Sequence, residues 1–324
     1  MKPFESVMAS QIEAFLAYRE SLGYRATPAT YYLLMFDRYL VDNHAGWDDF
    51  NAAFFLKMRN WIPLEASTVN NMLSILRTFF QFLVRRGDLM HDPSKDVPRL
   101  KQNTVVPFVF SPEQVDQLLD VMSRRIRKKE TYFLRDLAMY LVVLLMVRCG
   151  LRISEHIRLL RHHYRRDDAT IYIEKTKFSK DRLIPVPKDV AAQIENYLSV
   201  REALTPHDGN PYLLVGRENR CVCKTMFRYA FTDALNEMGL RQERKIVGNV
   251  NFNPPTPHSL RHSFAVNTLK SVWERGQCAQ NALPVLAAYM GHTNPKATAV
   301  YLRVADAVSR KQLVDFSLWQ RTNR

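Results

Sequence analysis

Through the first ninety residues apolar side chains recur every three or four positions, the spacing of helix faces rather than of strands. Ile12, Phe15 and Leu16, with Tyr18 and Arg19, predict a first helix that Gly23 ends. Thr27 as N-cap and Pro28 at the first helical position predict the start of a second, carried on by Tyr31, Tyr32, Leu34, Phe36 and Leu40. A third helix is expected over 47–61. A fourth is expected over 67–84, with Leu73, Leu76, Phe79, Phe80 and Leu83 on one face before Arg85-Arg86-Gly87. No stretch alternates as a strand would, so residues 1–90 read as a small all-helical domain.

Between 91 and 110 the periodicity fails. Asp92-Pro93, Val97-Pro98 and Val106-Pro107 each disfavour helix at the residue before the proline, as does Ser111-Pro112 just beyond. This segment is expected to link two domains, and its Lys95, Arg99 and Lys101 suit a stretch of chain lying along phosphates. Helix resumes at Ser111-Pro112-Glu113-Gln114, a capping-box sequence that opens a second domain over 111–304. A long helix runs through 137–147 and stops at Cys149-Gly150. Residues 169–173 and 182–186 are rich in β-formers and flank a polar, lysine-rich stretch, which predicts a β-hairpin with a basic tip. After Tyr212-Leu213-Leu214-Val215 the chain is expected to be helical to its end. The fold class is therefore mainly α with a small β-hairpin or sheet. The tail, 305–324, carries Val308, Leu313, Phe316, Leu318 and Trp319 as an amphipathic segment.

Charge changes this picture. Lys and Arg number 46 against 32 Asp and Glu, a net of +14 over 324 residues. Residues 1–100 are neutral, so the excess lies wholly in the remainder, the footprint of a polyanion partner, nucleic acid above all. Four cysteines in so long a chain do not make a disulfide scaffold and fit a reducing, cytoplasmic setting. No signal-peptide pattern opens the chain, and the longest apolar run, 137–147, is too short to span a bilayer, so no membrane association is expected.

Four local features of the second domain carry candidate chemistry, and each has an ordinary reading when taken alone. Arg152 and Glu155 follow a helix-ending glycine and could be a surface ion pair. Lys175, Lys177 and Lys180 on the hairpin, with Arg182, could be a solvated loop. Thr256-Pro257-His258-Ser259-Leu260-Arg261-His262 looks like a helix start with His258 and Arg261 on one face, an arrangement that favours an anion. Gly291-His292 ends another helix, and Tyr301 follows nine residues later.

In this order, Arg152, Lys177, His258-x-x-Arg261, Gly291-His292 and Tyr301 resemble the tyrosine recombinase (phage integrase) family, including Cre-like and Xer-like site-specific recombinases. The resemblance covers about 111–305, and the helical first domain is similar to the family's core-binding, SAM-like domain. It implies a Tyr301 nucleophile, with Arg152, Arg261, His258, His292 and Lys177 as the catalytic set. Glu155 supports Arg152 or His258, and Lys177 acts as general acid on a hairpin whose Lys175, Lys180 and Arg182 are DNA-binding candidates. It further implies double-stranded DNA with an inverted-repeat site, a homodimer on each site, a homotetramer in synapsis, and a tail that docks on a neighbouring protomer. The long stretch 272–281 looks like that of relatives found on mobile elements.

The chemistry of these side chains agrees. Two guanidiniums donate paired hydrogen bonds to phosphate oxygens and keep their charge at neutral pH. A phenol, with an ordinary pKa of ~10, must lose its proton on attack or be activated by a cationic site. Imidazole can assist that transfer, and His258 is the residue expected to do so. A phosphotyrosyl link keeps most of the phosphodiester's free energy, so rejoining needs no ATP. No cofactor and no metal are expected: there is no Walker loop, Cys221-x-Cys223 lacks a second pair, and His156, His162 and His163 lack carboxylate or thiolate partners. The rivals are a type IB topoisomerase, which would relax DNA without site-specific products, and a DNA-binding or architectural protein without chemistry. Tyr31, Arg38, Asn70, Asn71, Arg77 and the arginines of 217–228 are candidates for base contact.

Overall fold

The computed structural model describes residues 4–24, 26–174, 181–217, 220–292, 298–302 and 304. The chain divides into two compact units, 1–103 and 104–324.

The N-terminal unit is helical. It comprises α1 (Ala9–Ser21), α2 (Ala26–Asp42), a single 3-10 turn (Trp47–Asp49), α3 (Ala52–Trp61) and α4 (Ala66–Arg86). Asn51 caps α3 by accepting from the Phe54 amide at 3.0 Å, which splits the expected third helix into a turn and a shorter helix. Helix α2 begins at Ala26, so Thr27 is inside it and not its cap. On α4, Val69, Leu73, Leu76, Phe80 and Leu83 form one buried stripe against a core rich in phenylalanine: Phe15, Phe36, Phe55 and Phe79 are all 1% exposed or less. Gly87 closes α4 in the left-handed region (φ 83°), with the Asp88 amide reaching back to the Leu83 carbonyl.

The segment expected to be a linker divides between the units. Its first part packs on α4. Asn70 exchanges two hydrogen bonds with the backbone of Leu100, at 2.9 and 2.8 Å, and Arg77 donates to the carbonyls of Ser94 and Val97. Asn70 and Arg77, named as candidates for base contact, thus direct these hydrogen bonds to their own chain. The last part enters the C-terminal unit as β1 (Thr104–Val106), and Phe110 is fully buried there.

In the C-terminal unit the capping box forms as predicted. Ser111 Oγ accepts from the Gln114 amide and Gln114 Oε1 from the Ser111 amide, opening α5 (Pro112–Arg124). Helix α6 (Glu130–Arg148) is buried on all sides from Leu141 to Val147, with α5, α8 (Lys188–Leu204) and α10 (Pro257–Glu274) around it. Between α6 and α8 lie the short α7 (Ile153–His156) and an antiparallel sheet, β2 (Tyr164–Arg165), β3 (Thr170–Ile173) and β4 (Arg182–Pro185), in that order. The β3–β4 pair, with Ile173 opposite Arg182, is the predicted hairpin; its tip, with Lys175, Lys177 and Lys180, lies outside the described residues.

Helix α9 (Lys224–Glu237) follows, and then the chain departs from the all-helical expectation. Strands β5 (Lys245–Val247) and β6 (Val250–Phe252) form a hairpin that takes β1 as a parallel third strand on β6. Helices α10 and α11 (Ala279–Met290) and the helical residues 298–302 and 304 complete the described chain. The tail, 305–324, lies outside the described residues. Among the described residues no helix is long and apolar enough to cross a membrane, and no three His, Cys, Asp or Glu side chains are grouped to hold a metal.

Candidate active site

The site is assembled from four chain ends and turns. Gly150, in the left-handed region (φ 60°), breaks the chain off α6, and a Cβ there would sit 2.4 Å from the Phe264 ring. The turn brings Arg152 to the start of α7. Thr256 caps α10, its amide donating to Ser259 Oγ at 3.0 Å, with Pro257 in the first turn; this sets His258, Arg261 and His262 along one face. Gly291 (φ 65°) ends α11 and turns His292 inward. Residues 298–302 then present Tyr301.

The two predicted arginines meet at the α11 turn. Arg261 is 1% exposed; it donates from Nη1 to the Gly150 carbonyl and from Nη2 to the Met290 carbonyl, and the same Nη2 stands 3.3 Å from His292 Nε2. Arg152 Nη2 donates to the Gly291 carbonyl at 3.2 Å and Nη1 to Glu155 at 2.9 Å. His292 is fixed in turn by Thr298, whose Oγ1 lies 2.8 Å from Nδ1. The His292 and Tyr301 rings are nearly parallel, with centroids 6.2 Å apart.

Among the described residues, Glu155 is the carboxylate set between the Arg152, Arg182 and Arg261 guanidiniums. It accepts from the Arg152 amide and side chain, and a two-bonded fork from Arg182 occupies both oxygens at 3.0 Å. Of the two supporting roles open for Glu155, holding Arg152 is the one formed. Arg182 also donates from Nε to the Tyr289 carbonyl at 2.9 Å, and its side chain is 9% exposed. Arg182, a DNA-binding candidate in the sequence, here turns these donors inward, where it braces Glu155 and the end of α11.

The electrostatics follow from burial and unbalanced positive charge. Burial pushes the Glu155 carboxyl up, but the hydrogen bonds and charge of Arg182, the Arg152 amide and the charge of Arg261 outweigh it and leave the pKa at about 2. Burial, then Arg152, pull Arg261 down to about 9, which still leaves it charged at neutral pH. Burial also lowers His258 and His292, the latter to about 4, with Arg261 and Arg152 acting in the same direction. Both imidazoles are neutral at pH 7 in the free protein. Tyr301, 4% exposed, is raised by burial, and Arg261 and Arg152 work against that rise. Among the described residues, Arg152, Arg182 and Arg261 thus set three guanidiniums around the Glu155 carboxylate.

One contact was not foreseen. The Tyr301 hydroxyl is 2.9 Å from Nδ1 of His262, not from the expected His258, whose ring lies one helical turn earlier at 4.5 Å from that of His262. The i, i+4 spacing of the two histidines was the available signal, since it puts both on the face that carries Arg261.

The model of the phage integrase family matches residues 109–307, more than half of the chain. The chain belongs to the phage integrase family of tyrosine recombinases. Among curated relatives of this recombinase are a putative integrase/recombinase, y4rE, of Sinorhizobium fredii, 29% identical over 93% of either chain. The tyrosine recombinase XerA of Pyrococcus furiosus is 26% identical over 96% of this chain and 97% of its own. Solved structures share the fold. The XerH recombinase in a post-cleavage complex with palindromic difH DNA has a TM-score of 0.67 at 17% identity, covering 96% of this chain and 84% of its own. A lambda integrase dimer bound to a core site has 0.65 at 16%, covering 88% of this chain and 95% of its own. Mainly helical architecture and recombinase membership thus agree with the expectations drawn from the motif order.

Proposed function

We propose that this tyrosine recombinase exchanges DNA strands at an inverted-repeat site through a 3′-phosphotyrosyl intermediate on Tyr301. The observation that carries the reading is the convergence of Arg152, Arg261, His292 and Tyr301 on the turn after α11, where, among the described residues, three guanidiniums surround the Glu155 carboxylate. A scissile phosphate there would take hydrogen bonds from Arg152, Arg261 and His292, where charge grows as the phosphorus becomes five-coordinate. The phenolic oxygen of Tyr301 forms the new bond to phosphorus, and the bond to the 5′-oxygen breaks with its electron pair. As attack begins, the phenolic proton passes from its hydrogen bond with His262 to the neutral imidazole of His258, whose ring lies 4.5 Å from that of His262, and Lys177 protonates the leaving oxygen. An incoming 5′-hydroxyl reverses these steps on a new partner, with no energy source beyond the ester itself.

The N-terminal helical unit acts as the second jaw of a DNA clamp. Two protomers occupy one site and two such dimers synapse as a tetramer in the cytoplasm, the 305–324 tail reaching a neighbouring protomer.

The test uses nicked suicide duplexes carrying the sequence that the full chain selects from a random duplex library. Tyr301→Phe is expected to bind that duplex as the wild type does and to form no covalent adduct. Adduct retained by Tyr301→Phe, or no sequence selected, would defeat the proposal.

A further inference from the structure

Among the described residues outside the family's expected set, the side chain that touches the reacting oxygen is His262. We infer that His262 is a further catalytic residue, a hydrogen-bond anchor that fixes the Tyr301 hydroxyl in line for attack through its Nδ1; this rests on the recombinase reading above.

Three observations place it. The Nδ1–Oη distance is 2.9 Å, an ordinary hydrogen bond, and the two rings lie 5.5 Å apart at 56°. His262 stands on the second turn of α10, one residue beyond Arg261, so the anchor of the nucleophile and the phosphate-facing guanidinium share one rigid helix. Any motion of α10 carries both together, which keeps the phenol in register with the charge it must meet. The segment bearing Tyr301 has a second tie in the Thr298–His292 hydrogen bond, so both anchors hold residues 298–302 to the site.

The protonation state suits an anchor rather than a base. Burial, followed by His258, Arg261 and His292, holds His262 down at about 3, so its imidazole is neutral at working pH. A neutral ring offers Nδ1 as an acceptor for the phenolic proton and does not add a further like charge beside Arg261. Without that bond the phenol, buried to 4% exposure, would have an unpaired polar atom and freedom to rotate about its side-chain torsions.

Geometry also supplies the discriminating variants. In asparagine the amide oxygen stands two bonds from Cβ, as Nδ1 does in histidine, whereas the glutamine amide extends one bond further, toward the Nε2 position. His262→Asn, His262→Gln and His262→Ala are assayed in the full chain on the selected suicide duplex, beside Tyr301→Phe. Expected are unchanged duplex affinity, a roughly hundredfold slower adduct formation for Ala and Gln, and recovery to within about tenfold of wild type for Asn. The pH profile of cleavage by the Asn variant should follow the wild type, since no proton is stored on the imidazole. Cleavage by His262→Ala at the wild-type rate, Gln performing as well as Asn, or an Asn variant as slow as Ala would each overturn the anchor. A variant that melts early is read by its wild-type-like duplex affinity at 20 °C or replaced by the pair Asn and Gln, whose ranking alone decides. The recombinase reading stands through all those results as long as Tyr301→Phe forms no adduct; adduct from Tyr301→Phe overturns both.

Discussion

Arg182 and Glu155 form a two-bonded fork inside the C-terminal unit, Nη1 to Oε1 and Nη2 to Oε2, each at 3.0 Å. The carboxylate simultaneously holds Arg152. One anionic group therefore spaces two cations and, through Arg182 and Tyr289, ties the β4 strand to the end of α11. Removing only the charge leaves two guanidiniums short of their partner in a buried place. Glu155→Gln is expected to lower unfolding free energy by ~3–5 kcal/mol, the usual cost of breaking a buried pair from one side. Urea unfolding measures this, and a loss below 1 kcal/mol would show that the fork carries no structural weight. Adduct formation should fall with it, because Arg152 loses its fixed direction.

The pH dependence of stability should show two separate steps. His156, His262 and His292 are held by burial at about 4, 3 and 4, below the ordinary 6.5. Below pH ~6.5 the unfolded chain binds protons that these folded sites refuse, so stability falls as pH drops toward 4. Glu155, at about 2 against an ordinary 4.5, contributes stability that is complete above pH ~5 and lost as pH falls from about 4.5 toward 2. Urea midpoints between pH 8 and pH 3 would reveal both. The gap between wild type and Glu155→Gln should close only in the lower window; a gap independent of pH would contradict the depressed carboxyl.

Glycine matters at the site for reasons that differ from its use elsewhere. Gly150 and Gly87 both have positive φ, 60° and 83°, but a Cβ on Gly87 meets open space while one on Gly150 would strike Phe264 at 2.4 Å. Alanine at 87 should cost about 1 kcal/mol for the left-handed conformation alone. Alanine at 150 adds a clash with an aromatic ring packed beside α11, and it displaces the carbonyl that receives Arg261. Gly150→Ala should therefore cost at least twice as much and reduce adduct formation, whereas Gly87→Ala leaves cleavage unchanged. Equal melting-temperature losses for the two would argue against that crowding.

Local chemistry explains what was legible in the sequence. The Ser111 box, the Thr256-Pro257 start and the Gly291 stop are each written in adjacent residues, and the structure forms all three. The β1–β6–β5 sheet was not legible. Its strands have three residues each, Ile246 and Val247 are more than half exposed, and β1 finds its partner 146 positions away in sequence, so no local alternation marks it. Arg182 follows a lysine-rich tip and reads as one more phosphate contact until the fold sets Glu155 opposite it. His262 likewise shows its face through its spacing from His258, but its partner is 39 residues further on. Long-range pairing decides both roles, and it leaves no trace at either end alone.

Lysine replacements separate charge from geometry at the two arginines. Arg261 pins the Gly150 and Met290 carbonyls together from a position 1% exposed, while Arg152 has a side chain 22% exposed and leans on Glu155. A lysine keeps the charge but presents one compact ammonium, which cannot span two carbonyls and a phosphate oxygen at once. Both Arg152→Lys and Arg261→Lys should lose adduct formation by ~100-fold or more, the scale set by removing a donor from a developing oxyanion. Stability should distinguish them. Arg261→Lys leaves a buried carbonyl unpaired and is expected to cost ~1–3 kcal/mol, whereas Arg152→Lys should stay within about 1 kcal/mol of wild type. Suicide-duplex cleavage and urea unfolding on the same preparations supply both readings. Near-normal cleavage by the two variants would mean that positive charge alone suffices at the turn after α11, and the paired, directional donation argued for Arg152 and Arg261 would have to be abandoned.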